Sequence, residues 1–216
     1  MNNLHKAGSL LVASALLATA LTSPPRAAVG LQQSGFTVPI TWGDMSARLV
    51  EAGVIDPNKF ALRDMPGEIV MTEENAAYLL TLLWAFGLAN ENPILFDPAE
   101  MMNPAYAGNG PPGGGFASTG GWTLAKGSAM DHYGMHQLVV LSPQQQTLVD
   151  RVSRRIFRPC CRNSAHFPDC NHGMAMLGLL QLAAAEGADE QELYETAHTV
   201  NSYWFPELRS GTGCSA

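Results

Sequence analysis

Residues 171–186 read N-H-G-M-A-M-L-G-L-L-Q-L-A-A-A-E, with Gly187 directly behind. A surface helix carries one apolar stripe. Here apolar residues occupy every direction of a 3.6-residue turn, and Gln181 is the only polar residue between Met174 and Ala185. Such a segment is stable only when other elements surround it, so a buried central helix is expected. The rest of the chain must supply the cover.

Several flanking stretches carry helix signals with recognisable ends. Asp44–Ala52 is a short helix stopped by Gly53. Over Thr72–Phe86, Ala76, Leu79, Leu80 and Leu83 form a stripe behind a Thr72 cap, with Gly87 as the stop. Ser142-Pro143-Gln144-Gln145 joins an N-cap, a proline at the first helical position and a capping-box glutamine. The helix it opens, Ser142–Phe157, turns Leu148, Val149, Val152 and Ile156 inward and ends before Pro159. Asp169 or Asn171 is expected to cap the central helix. Asp189-x-x-Glu192 opens the last one, with Leu193, Ala197, Val200 and Trp204 in register before Pro206. Residues 36–42, F-T-V-P-I-T-W, have the character of a short strand. The expected fold is mainly α: a compact helical bundle of about five helices. A long Gly/Pro-rich loop at 103–121 is either plain surface or one wall of a site.

Composition bounds the function. At 216 residues and 46% apolar content, one domain with a proper core is expected. Nineteen acids against twelve Lys and Arg give a net charge of −7, which argues against nucleic acid as a partner. At the N-terminus, Lys6 precedes an apolar run to Leu21, with Ala18-Thr19-Ala20 as small residues for cleavage. The run falls short of the roughly 20 residues that a spanning helix needs. Residues 1–20 are therefore expected to be a cleavable export signal and 21–216 a single helical domain. That domain would be extracytoplasmic, periplasmic or secreted, with no stable membrane span after cleavage.

Chemistry gathers just ahead of the central helix, in R-P-C-C-R-N-S-A-H-F-P-D-C-N-H-G over 158–173. Cys160, Cys161, Cys170 and His172 form a C-C-x8-C-x-H pattern of soft and borderline ligands. The function expected from it is an exported metal-binding protein holding zinc or copper, with an iron–sulfur cluster as a third option. His132 and His136, four residues apart in D-H-Y-G-M-H, would share a helix face and are candidate additional ligands. His166 has no such placement and is expected at a loop surface.

Two alternatives use the same residues. In a thiol–disulfide enzyme, Cys170 at a helix N-terminus would be the most acidic thiol, resolved by Cys160 or Cys161. In a non-catalytic domain, two disulfides would join Cys160 and Cys161 to Cys170 and Cys214, because adjacent cysteines rarely pair with each other. Arg151, Arg154, Arg155, Arg158 and Arg162 lead into the cysteines, either as a solvated face or as stabilisers of thiolate. No G-x-S-x-G elbow, H-E-x-x-H helix or phosphate-cradling glycine loop is present, so no reaction is assigned.

Overall fold

The computed structural model describes residues 35–65, 67–108, 110–159 and 161–207. The export signal expected over 1–20, Cys160 and Cys214 lie outside them. Among the described residues the fold is mainly α, with five helices and one two-stranded sheet: β1 (Phe36–Thr41), α1 (Met45–Glu51), β2 (Glu68–Met71), α2 (Ala76–Ala89), α3 (Pro143–Ser153), α4 (Asn171–Ala185) and α5 (Glu190–Trp204). No described helix is long and apolar enough to cross a membrane.

Helix α4 is the centre. Every residue from Gly173 to Ala184 is buried, as its unbroken apolar surface demands. It packs most extensively on α2, then on α3, α5 and β1. Each fully buried Leu or Met on these faces contributes on the order of 1.5–3 kcal/mol relative to exposure. Strands β1 and β2 pair antiparallel, Phe36 opposite Met71 and Val38 opposite Ile69, with an irregularity between Val38 and Thr41. Alternation turns Val38, Ile40, Ile69 and Met71 inward.

Helices α2 and α4 cross at two glycines. A Cβ on Gly87 would stand 2.1 Å from the Met174 carbonyl oxygen, and one on Gly178 would stand 2.6 Å from that of Leu83. Gly87 is therefore not the helix stop expected from the sequence. Helix α2 runs through it to Ala89, and the glycine serves the close approach of two backbones. The expected Thr72 cap also moves: the N-cap is Asn75, whose Oδ1 accepts from the Thr72 amide. Helix α3 ends at Ser153, earlier than expected, although Ile156 is still buried beyond it. The cap of α4 is Cys170 itself, in place of Asp169 or Asn171.

The capping boxes at Ser142/Gln145 and Asp189/Glu192 form as the sequence implies. Each closes a helix end by two reciprocal bonds, so Asp189→Ala is expected to lower stability by about 1 kcal/mol in a urea titration. An unchanged midpoint would mean that the box does not hold the end of α5.

Candidate functional site

The chain between α3 and α4 is built around one carboxylate. Phe157 and Ser164 pair as an isolated antiparallel bridge, and the Arg158 amide donates to the Asn163 carbonyl at 3.1 Å. These contacts close residues 158–163 into a tight loop that carries Cys161; Cys160 itself lies outside the described residues. Arg162 closes the turn with φ +59, a left-handed conformation rare for a residue with a side chain, and its amide donates to the Arg158 carbonyl at 2.9 Å. Asp169 ties both ends of this loop. Its Oδ1 lies 2.7 Å from Arg158 Nη2, and its Oδ2 accepts from Asn163 Nδ2 at 2.8 Å. The next residue is Cys170, at the N-cap of α4. The cysteine loop is thus fastened to the start of the central helix.

Only one arginine of the basic strip turns inward. Arg151 and Arg154 are exposed and pair with Glu190 and Asp150, and Arg155 and Arg162 are exposed as well. Arg158 is 1% exposed. Its Nη2 also donates to the Phe167 carbonyl at 3.1 Å, while Nε and Nη1 are buried without a hydrogen-bond partner among the described residues. Nη1 lies against Gly173, where a Cβ would stand 1.7 Å away. The glycine three residues after Cys170 is what admits the guanidinium beneath the first turn of α4.

Cys170 and His172 both lie in the field of that guanidinium. Burial pushes the Cys170 thiol up, while Arg158 and the Gly173 amide pull it down and the neighbouring Cys161 and Asp169 add to the rise. The balance is upward, so Cys170 is not the acidic thiol expected from its helix position. Half-burial of the sulfur outweighs the Arg158 charge and the Gly173 amide. Burial and Arg158 together hold His172 below its usual range, so its imidazole is neutral. Asn171 Oδ1 accepts from both the amide and the Nδ1–H of His172, each at 2.9 Å. That fixes the tautomer and puts the lone pair on Nε2, the way a metal-bound imidazole is usually braced. The ring rests on Phe205 and against Trp204.

The Gly/Pro-rich segment borders this site. Its Pro104–Tyr106 turn is a 3-10 helix capped by Asn103, a short regular piece that the composition does not announce. Ser118 and Thr119 are wholly buried, the Ser118 amide donates to the Asp169 carbonyl at 3.1 Å, and Trp84 Nε1 donates to the Ser118 carbonyl at 2.7 Å. Tyr106, Phe116 and Phe167 form a mutual ring cluster.

His132 and His136 meet, but not on a helix. A 3-10 turn ends at Asp131, Gly134 takes φ +64, and residues 134–136 run along the end of α2, with the His136 amide donating to the Ala89 carbonyl. Nδ1 of His132 lies 3.1 Å from Nε2 of His136, with ring centres 5.4 Å apart. Ring centres that far apart at that N···N distance place the two nitrogens end-on, the geometry of a hydrogen bond. His132 Nε2 lies 2.8 Å from the Lys126 carbonyl, so that nitrogen carries the proton and Nδ1 accepts from His136. Burial and the neighbouring ring lower the His136 pKa. A metal bound by both rings would have to open this contact.

His166 is buried, contrary to the surface position expected for it. Its Nδ1 lies 3.1 Å from Ser153 Oγ and its Nε2 lies 3.4 Å from Asp97 Oδ2. The set resembles a catalytic triad in composition only. Ser153 is fully buried and its hydroxyl also donates to the Asp150 carbonyl, so no nucleophile reaches the surface. Asp97 stays ionised, held low chiefly by the Ala99 amide, and Asp97 and His166 line a surface cavity of about 410 Å³.

The structure therefore brings Cys161, Cys170 and His172 to one end of α4 around Arg158 and Asp169, and leaves the His132–His136 pair at the end of α2. No three His, Cys, Asp or Glu side chains among the described residues form a closed metal-ligand group. Cys161 and Cys170 are free thiols. Arg158 and Asp169 are the residues that sequence reasoning undervalued, and Gly173 is the one signal that could have marked Arg158. Comparison with known protein families, characterised proteins and solved structures finds no match to this chain.

Proposed function

We propose that this is an exported metal-binding protein whose centre is formed by Cys160, Cys161, Cys170 and His172 at the start of α4. The helices packed around α4 are read as a bundle whose Gly/Pro-rich loop walls this end. One observation carries the proposal: Asp169 fastens both ends of the cysteine loop beside Cys170, two residues from a neutral His172 whose lone pair is on Nε2. Thiolates with one imidazole suit Zn²⁺ or Cu⁺, and the buried Arg158 offsets part of the negative charge that three thiolates bring. A bridge between Cys170 and a loop cysteine is the competing use of the same sulfurs.

Cobalt substitution of the full chain tests this. Titration with Co²⁺ under reducing conditions is expected to give intense sulfur-to-metal charge-transfer absorption saturating at one ion per chain, abolished in Cys170→Ser. Absence of that band, with the thiols still fully titratable, would overturn the proposal.

The acidity of the ligands sets a pH dependence. An ion must displace the proton of Cys170, whose pKa burial raises above its ordinary value of 9.0. His172 is held below 6.5 and is neutral throughout the working range. Apparent affinity should therefore rise about tenfold per pH unit for each displaced thiol proton, and should still be rising at pH 9. Competition against a chromophoric chelator would show this. A plateau reached at neutral pH would contradict it.

A further inference from the structure

The cavity beside His166 lies between the 3-10 turn Pro93–Phe96 and helix α3, and its volume of about 410 Å³ is in the range that holds small ligands. Ile94, Phe96 and Pro98 supply an apolar wall, and Asp97, Asp150 and the buried His166 supply its charged and polar groups. Phe96 is 42% exposed although Tyr133 braces its ring edge-on, so an aromatic surface stays open at that wall. Both carboxylates are loosely paired. Oδ1 of Asp97 accepts from the Ala99 amide at 2.8 Å, but Oδ2 lies 3.4 Å from His166 Nε2 and 3.9 Å from Arg154 Nη2. Oδ1 of Asp150 lies 3.2 Å from the same Arg154 nitrogen and 3.6 Å from His166 Nδ1. Charge-assisted bonds close to about 2.7–2.9 Å, so each of these ion-pair contacts is long.

Arg154 Nη2 marks a point from which one cationic nitrogen reaches both carboxylates. The Arg154 side chain is 48% exposed and is not among the residues lining the cavity, so it approaches this point from the solvent side and can turn out into water. With Arg154 turned out, two carboxylates face one imidazole, and the cavity is negative in either charge state of that ring. The two nitrogens of His166 face different carboxylates, and no three His, Cys, Asp or Glu side chains among the described residues close on one point. The cation that fits is therefore an organic one with N–H donors and not a metal ion. We infer that this cavity binds a small organic cation, an amine or amidine on an apolar body, with Asp97 and Asp150 holding the charged nitrogen in place of Arg154 and Phe96 packing on the body. The cavity shares no residue with the proposed metal centre and does not depend on it.

Calorimetric titration of the full chain with benzamidine at low salt tests this. Saturation at one equivalent is expected, with benzamide, the neutral isostere, bound about tenfold or more weakly. Asp97→Asn keeps an oxygen for the Ala99 amide and should weaken benzamidine about tenfold, the loss of one charge-assisted bond. Arg154→Ala removes the competing cation of an exposed pair and should tighten benzamidine by up to about fivefold. Arg155→Ala changes the net charge equally at an exposed position and should leave the affinity as it was. Because Arg154 is exposed, its variant decides the matter if Asp97→Asn does not fold. A blocked arginine peptide carries the same kind of charge on a polypeptide; if it binds and benzamidine does not, the cation belongs to a partner protein and the inference fails. Equal affinity for benzamidine and benzamide, or an effect of Arg154→Ala no different from that of Arg155→Ala, would also overturn it.

Discussion

Asp169→Ala is expected to destabilise the protein by about 3–5 kcal/mol, the usual consequence of removing one partner from a buried ion pair. The magnitude follows from what is left behind. Arg158 is 1% exposed and already has two donor nitrogens without partners, so deleting the carboxylate strands a full positive charge beneath α4. Asn163 loses its anchor at the same time, and the cysteine loop is released at both ends. The pair itself need not favour folding, because its desolvation offsets much of its attraction. Arg158→Met combined with Asp169→Leu should therefore regain most of the stability while the loop no longer sits against Cys170. Urea midpoints for the single and double variants check both statements. A single variant costing under about 1 kcal/mol would show that Arg158 reaches solvent without its partner.

The second large effect is expected at the crossing of α2 and α4. In an open helix, Gly→Ala stabilises by up to about 1 kcal/mol. At Gly178 the new methyl would meet the Leu83 carbonyl oxygen at 2.6 Å, and at Gly87 it would meet that of Met174 at 2.1 Å. Both obstacles are backbone of the opposing helix, so neither can rotate away. The helices would have to separate along the most extensively packed interface of the fold, and overpacking of this kind typically costs 1–3 kcal/mol, occasionally more. A net loss of about 3 kcal/mol or more is expected for Gly87→Ala, with a smaller loss for Gly178→Ala. Thermal unfolding would measure it. A rise in melting temperature for either would mean that the two backbones do not approach this closely.

These glycines also show where the sequence is readable and where it is not. The apolar circumference of 171–186 identifies a central helix from composition alone, because only encirclement makes such a segment stable. Ser142/Gln145 and Asp189/Glu192 mark two helix starts, since a capping box is a local hydrogen-bond pattern that needs no tertiary partner. Gly87 is different. A glycine after an apolar stripe looks the same whether it ends a helix or admits another, and only the position of Gly178 on the opposing helix decides. Strand β2 carries no sequence signal of its own: four residues between Gly67 and a strong helix signal are too few for a periodicity to decide. At the site, the ligand types and their crowding are legible, but the arrangement is not. Five arginines look alike in sequence, and the one that turns inward is chosen by the space at Gly173 and the carboxylate of Asp169. His132 and His136 come together through a turn at Gly134 and not through helical spacing. The acidity of Cys170 follows burial, which outweighs the Arg158 charge and the Gly173 amide and is invisible to a motif.

X-ray absorption at the metal edge of the full chain, loaded with one equivalent of Zn²⁺, measures the proposed centre most directly. A first shell dominated by sulfur with a single imidazole, changing to fewer sulfurs in Cys170→Ser, is the result expected. A shell of nitrogen and oxygen scatterers alone, unaltered by that substitution, would contradict a centre at the start of α4.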